Sequence, residues 1–168
     1  SLCTNGGRYC VPDPNFPSGG GVSGENVVEE TLRQKCVWLA HGGRNASDEG
    51  VGEQWWAYVN NFNSICNHSN NFHSPSCILK ALKAAGVDID LVDRCMKLSG
   101  GLIADSANDV LSAELAQKKR RGVVVLPTVY VNDAPERDGS SVGAVLSAIC
   151  GRYGLSTPPD VRSGANMR

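Results

Sequence analysis

Apolar positions recur along most of this chain at intervals of three and four, the spacing that places side chains on one face of an α-helix. Val28, Leu32, Cys36 and Leu39 predict a helix over 26–40 with that stripe buried, stopped by His41-Gly42-Gly43. Trp55, Val59, Phe62 and Cys66 mark a second helix after the Gly- and Asp-rich stretch 44–52. A third opens at Ser74-Pro75, a cap followed by the residue whose missing N–H costs nothing in a first turn, buries Ile78, Leu82 and Ala85, and ends at Gly86. Asp88 caps a fourth, with Leu91, Val92, Cys95 and Met96 inward. Ser106 with Asp109 three residues on reads as a capping box for a fifth over 109–121, closed by Gly122. Ser141 opens a sixth, with Val142, Val145, Leu146, Ile149 and Cys150 on one face.

The period changes once. Val123-Val124-Val125-Leu126-Pro127-Thr128-Val129-Tyr130-Val131-Asn132 is the β-branched run of the chain, and Asn132-Asp133 with Pro135 turns it toward a weaker strand near 136–139. One hairpin makes a poor sheet, being marginal in water with both edges open, so further strands are expected from outside this segment. The fold class is therefore α+β, mostly helical. Residues 1–24 read as a Cys/Pro/Gly-rich irregular lead, 25–154 as the helices plus hairpin, and 155–168 as a linker-like tail rich in Pro, Ser, Gly and Arg.

At 168 residues, 41% hydrophobic and 20% charged, the chain is expected to be a soluble globular domain with a single core. Sixteen Lys and Arg against 17 Asp and Glu leave a net charge of −1, which removes any general attraction to phosphate backbones or anionic lipid, so neither nucleic acid nor membrane contact is expected. The longest nearly apolar stretch is about half of the roughly 20 residues needed to cross a bilayer. The opening at Ser1, with no charged-then-apolar leader, points to a processed product or a piece of something longer.

Seven scattered cysteines (Cys3, Cys10, Cys36, Cys66, Cys77, Cys95, Cys150) and two Asn-x-Ser sequons, at Asn45 and Asn67, suggest an oxidising secretory compartment with disulfides and N-glycans. The odd count leaves one cysteine unpaired within the chain, and about a hundred connectivities remain open. Cys66 and Cys77 are expected to close the short Asn/His/Ser-rich loop between two helices, and Cys3 is the cysteine expected to look outward. Cys36, Cys95 and Cys150 are the thiols whose truncation would destabilise the fold if each is bridged.

Candidate chemistry is sparse. A dithiol oxidoreductase needs a resolving cysteine close to a thiol at a helix N-terminus, whereas Cys10-Val11-Pro12-Asp13 has Asp in that place and coil after it. His41, His68 and His73 lack metal-ligand spacing and read as solvated. With no G-x-S-x-G, Walker loop or H-E-x-x-H, no enzyme activity, metal or cofactor is expected. Trp55 and Trp56, adjacent on a helix, point about 100° apart, so one packs inside and the other is an interface candidate. Lys118-Lys119-Arg120-Arg121 is either a solvated helix end, where cations suit the exposed carbonyls, or a docking patch or dibasic processing site.

Proline within a β-branched run survives at a sheet edge, at a bulge or just before the strand proper. The last case resembles the thioredoxin arrangement, in which a cis X-Pro bond precedes a strand, a hairpin and a terminal helix. On that reading Pro127 is a cis-proline candidate, and the chain corresponds to the C-terminal part of a DsbA-like thioredoxin fold, with a helical insertion before it. A trans proline in an edge strand is the other reading.

Taken in order, Asn5-Gly6-Gly7-Arg8-Tyr9-Cys10-Val11-Pro12-Asp13-Pro14, Val27-Val28, Leu32-Arg33-Gln34-Lys35-Cys36-Val37, Trp55-Trp56-Ala57-Tyr58-Val59, Gly86-Val87-Asp88, Val92-Asp93-Arg94-Cys95, Leu126-Pro127-Thr128-Val129-Tyr130-Val131-Asn132 and Val145-Leu146-Ser147-Ala148-Ile149-Cys150 resemble the central luminal domain of plant and algal vacuolar sorting receptors. The resemblance implies a thioredoxin-like domain between a protease-associated domain and EGF-like repeats, in a single-pass receptor carrying soluble cargo from the Golgi toward vacuoles. It implies a recognition and scaffolding module in the secretory lumen or on the extracellular face, whose partners are cargo polypeptides or neighbouring chains. It also implies that the first strands of the sheet precede this segment or come from another chain. The sequence departs from the family at Ala134-Pro135-Glu136-Arg137-Asp138 and in the Gly-rich insertion 42–52, which bears on cargo preference. A structural module holding a larger extracellular assembly together is the alternative, and a thiol-disulfide oxidoreductase a distant one.

Overall fold

A computed structural model describes residues 2–11, 22–42, 52–68, 70–124, 126–132, 134–136 and 141–153. Six helices and two small antiparallel ribbons follow one another in a chain that divides into two compact units, Ser1–Ala116 and Gln117–Arg168, rather than the single core its length predicts. Among the described residues no helix is long and apolar enough to cross a membrane.

In the first unit the lead is more regular than its composition predicts. Strands β1 (Cys3–Thr4) and β2 (Tyr9–Cys10) pair around a 3-10 turn at Asn5–Gly7, where Asn5, Gly6 and Gly7 all take positive φ. Cys3 faces Cys10 across this ribbon and is bonded to it, which corrects the expectation that Cys3 looks outward. Polar side chains then tie the ribbon to the loop before the fifth helix. Asn5 Nδ2 donates to the Ser106 and Gly101 carbonyls at 2.9 and 3.2 Å, and the Tyr9 hydroxyl both donates to the Asn108 carbonyl and accepts from its N–H.

Helix α1 (Gly24–His41) is the hub, touching β1, β2, α2 (Glu53–Ile65) and α4 (Ile89–Leu98), while α3 (Pro75–Ala84) packs on α2. It starts two residues before the predicted boundary because Ser23 and Asn26 form a reciprocal capping box, the Asn26 N–H donating to Ser23 Oγ and the Ser23 N–H to Asn26 Oδ1. Val28, Leu32 and Cys36 are buried as their spacing predicts, but Leu39 is 57% exposed and Val37 takes the core position instead. Leu91 of α4 is likewise exposed, while Val92 is buried. Asp88 caps α4 by accepting from the Leu91 N–H, and its own N–H donates to His41 Nε2 at 3.1 Å, so His41 is a structural acceptor and not merely solvated.

Helix α5 (Asp109–Arg120) is capped by Asn108, not by the predicted Ser106. Asn108 is fully buried, accepts from the Leu111 N–H and donates to Ser99 Oγ, whereas the Ser106 hydroxyl turns back to the Ile103 carbonyl. Two further disulfides staple this unit. Cys36–Cys95 joins α1 to α4 across 59 residues, and Cys66–Cys77 closes the α2–α3 connection, the pair expected from spacing.

Between α1 and α2 the core is polar. Glu30, only 3% exposed, accepts from Arg33 Nη1 at 2.5 Å, the Tyr58 hydroxyl at 2.9 Å and Gln34 Nε2 at 3.2 Å, while Arg33 Nη2 donates to Glu29. Burial pushes the Glu30 carboxyl above the ordinary carboxylate range despite the guanidinium beside it, and burial beside Glu30 also pushes the Tyr58 hydroxyl up. A buried pair of this kind holds only while its polar atoms find partners, and among the described residues no buried side-chain nitrogen or oxygen is without one.

In the second unit the β-branched run is mostly not strand. The Leu126–Pro127 bond is cis, and among the described residues β3 (Tyr130–Val131) pairs with β4 (Ala134–Pro135), while most of the return strand predicted near 136–139 lies outside the described residues. Pro127 has no N–H for a ladder, and Val124 and Leu126 are exposed, while the Glu136 N–H donates to the Val129 carbonyl at 2.8 Å and extends the ribbon by one bond beyond β3. Helix α6 (Val142–Tyr153) packs on β3, its first turn capped by the Ser141 hydroxyl. The Tyr130 hydroxyl donates to the Arg121 carbonyl, and its ring lies under the Arg121 guanidinium.

Two outcomes are expected. Replacing Cys36 and Cys95 together by Ala lowers unfolding free energy by about 2–4 kcal/mol in denaturant titrations, the scale set by the loop that the bridge closes. Arg33→Met costs about 3–5 kcal/mol at neutral pH, since it leaves Glu30 buried without its cation. Because the folded Glu30 pKa lies above the ordinary value, its favourable contribution is present below that value and lost as pH rises through the raised one. The Arg33→Met penalty therefore shrinks on acidification through that window, and a penalty independent of pH would contradict the network.

Candidate functional site

Residues of α1, α2 and α5 line an open groove of about 680 Å³. Thr31, Gln34, Lys35 and Trp38 of α1 line one wall at i, i+3, i+4 and i+7, one helical face that borders the core stripe. Trp55 and Trp56, in the first turn of α2, form the other wall, and Glu114 of α5 closes the rim by accepting from Lys35 Nζ at 2.6 Å. A smaller hollow of about 260 Å³ shares Thr31 and Gln34 and continues over Phe62 and Phe72 to Asn67.

The three indoles meet edge to face. Trp38 and Trp55 have ring centroids 5.8 Å apart at 86°, and Trp55 and Trp56 are 4.7 Å apart at 76°, the T-shaped geometry that aromatic quadrupoles favour. Trp55 is half-buried against the core and Trp56 is 54% exposed, the division predicted for adjacent tryptophans. Trp38 and Trp55 are half-buried and Trp56 is exposed, so the groove offers indole surface to a ligand.

Trp38 is the site residue that periodicity missed. Its ring is seated between two glycines: a Cβ at Gly42 would fall 2.7 Å from the ring, and one at Gly52 2.5 Å from Cζ3. Gly52, at φ +63, also provides the left-handed entry to α2. Both glycines follow Trp38 in the sequence, and only the fold brings Gly52 back to it.

The other sequence candidates lie apart from this groove. Cys10, the nearest imitation of a redox thiol, is bonded to Cys3. Cys150, half-buried on α6, is the cysteine outside the three disulfides. His68 and His73 are exposed in the α2–α3 connection, and the described residues hold no cluster of metal-ligating side chains. Asn67 is exposed immediately after Cys66, with its amide donating to Asn63 Oδ1, whereas Asn45 lies outside the described residues, as does the predicted tail 155–168. Groove and network can bind, stack and donate hydrogen bonds; they present no nucleophile beside a base.

Comparison with known proteins bears on what such a groove serves. The sequence profile of the vacuolar sorting receptor thioredoxin-like domain matches residues 1–150. Vacuolar-sorting receptor 1 of Pisum sativum is 35% identical over 165 residues, which is 96% of this chain and 25% of that protein. Vacuolar-sorting receptor 4 and vacuolar-sorting receptor 6 of Arabidopsis thaliana are 34% and 35% identical over 99% and 96% of this chain. The chain thus spans about a quarter of the length of these relatives. A match over nearly all of the helical unit, the hairpin and most of α6 makes this chain a member of the vacuolar sorting receptor thioredoxin-like domain family.

Proposed function

We propose that this chain is the luminal recognition and scaffolding module of a vacuolar-sorting-receptor-like, single-pass membrane protein, and that it takes part in sorting cargo proteins without catalysing a reaction. The observation that carries the reading is the groove lined by Trp38, Trp55 and Trp56, the last of them exposed. Exposed, rigid aromatics flanked by polar groups are the residues that dominate protein–protein binding energy, and the matching relatives are named as sorting receptors. Three disulfides and the exposed sequon at Asn67 suit an oxidising lumen, Golgi or prevacuolar, in which Asn67 carries an N-glycan beside the smaller hollow. The order β3, β4, α6 after a block of helices supports reading the segment as the C-terminal half of a DsbA-like thioredoxin fold, and on this proposal the remaining strands come from elsewhere in the same protein or from another chain.

The test is a binding titration of the complete receptor ectodomain against propeptides of vacuolar proteins. Trp56→Ala, at an exposed position that leaves the core intact, is expected to weaken binding by about 30-fold, the ~2 kcal/mol carried by a central interface tryptophan. Unchanged affinity for Trp56→Ala and for Trp38→Ala would refute a cargo role for the groove.

A further inference from the structure

The one run of consecutive cations in the chain, Lys118-Lys119-Arg120-Arg121, has no part in the groove. We infer that it is a processing site for a serine endoprotease that selects paired basic residues, and that the bond cut is Arg121–Gly122. This inference goes beyond recognition and does not depend on what the groove binds.

The placement supports cleavage in three ways. Lys119, Arg120, Arg121 and Gly122 are exposed, and none of the four ion pairs among the described residues involves Lys118, Lys119 or Arg120. A protease needs its substrate extended, so the last turn of α5 must open. That turn is held by backbone bonds from the Arg121, Gly122 and Val123 N–H groups to the Gln117, Lys119 and Lys118 carbonyls, together with the Tyr130 contacts to Arg121. Opening it withdraws little apolar surface from a core, which places it at the low-cost end of local unfolding. The residue after the cut is Gly122, around which a Cβ would meet nothing within 4 Å.

The position also gives the cut a consequence. The boundary between the compact units falls between Ala116 and Gln117, and none of the three disulfides spans residue 121. Hydrolysis consumes one water: the C–N bond breaks, the water oxygen enters the new Arg121 carboxylate, and Gly122 leaves with a free amine. No peptide bond then joins residues 1–121 to the hairpin and α6.

The experiment incubates the full chain, disulfides intact, with a purified dibasic-specific serine endoprotease, and follows intact mass and N-terminal sequence. The expected products are 1–121 and 122–168, the second beginning Gly122-Val123-Val124. The double variant Arg120→Gln with Arg121→Gln, checked by circular dichroism to keep its helices, is expected to be cut about 100-fold more slowly, since an acidic specificity pocket rejects a neutral side chain. A first cut outside 118–122, equal rates for wild type and double variant, or cleavage only after reduction and denaturation would each overturn the proposal and leave the cations as partners of the helix dipole.

Discussion

Burying a carboxylate between two helices is costly unless each of its lone pairs finds a donor, and that requirement organises the first unit. Glu30 has donors from its own helix in Arg33 and Gln34, one turn away, but the Tyr58 hydroxyl must come from α2. The bond from Tyr58 therefore restrains how α1 sits on α2. The same setting seats Leu32 and Cys36 in the core, brings Cys36 onto Cys95, and turns the neighbouring face, Thr31 to Trp38, toward Trp55. A groove lined by rigid aromatics is thus a by-product of how a charge was buried.

Much of this was legible in the sequence. Helix boundaries marked by local chemistry, at Ser74-Pro75, Asp88, Gly86 and Gly122, came within a residue or two of the observed ends, because caps and stops act through bonds to adjacent backbone. What failed were choices that depend on another element. Periodicity says which residues share a face, not how far the covering neighbour reaches, so Leu39 and Leu91 were assigned to a core that stops short of them. Nothing local identifies Glu30 and Arg33 as buried, since their warrant is a tyrosine 28 residues on. Ser106 was the cap expected from the sequence, whereas Asn108 caps α5 in a place also held by Tyr9, about a hundred residues earlier. The Cys3–Cys10 ribbon escaped notice because two-residue strands carry no period at all.

The site shows the same division. Trp55 and Trp56 announced themselves by adjacency, whereas Trp38 needed the return of Gly52 to explain it. Family resemblance was carried by the ordered series of short motifs, many of which the structure finds at positions where packing or capping permits few substitutes: Tyr9 on Asn108, Cys36 on Cys95, Asp88 on α4. Gly42 and Gly52, the two glycines that seat Trp38, are described residues at either end of the Gly-rich stretch 42–52.

The claim that the buried network positions the groove is tested most directly by the indole N–H signals in a ¹H–¹⁵N correlation spectrum of the disulfide-intact chain, wild type against Glu30→Leu. The account predicts that the Trp38 and Trp55 signals shift and broaden in the variant while helical circular dichroism persists. Indole signals unmoved by loss of Glu30 would contradict it, leaving the groove to be set by the disulfides and apolar packing alone.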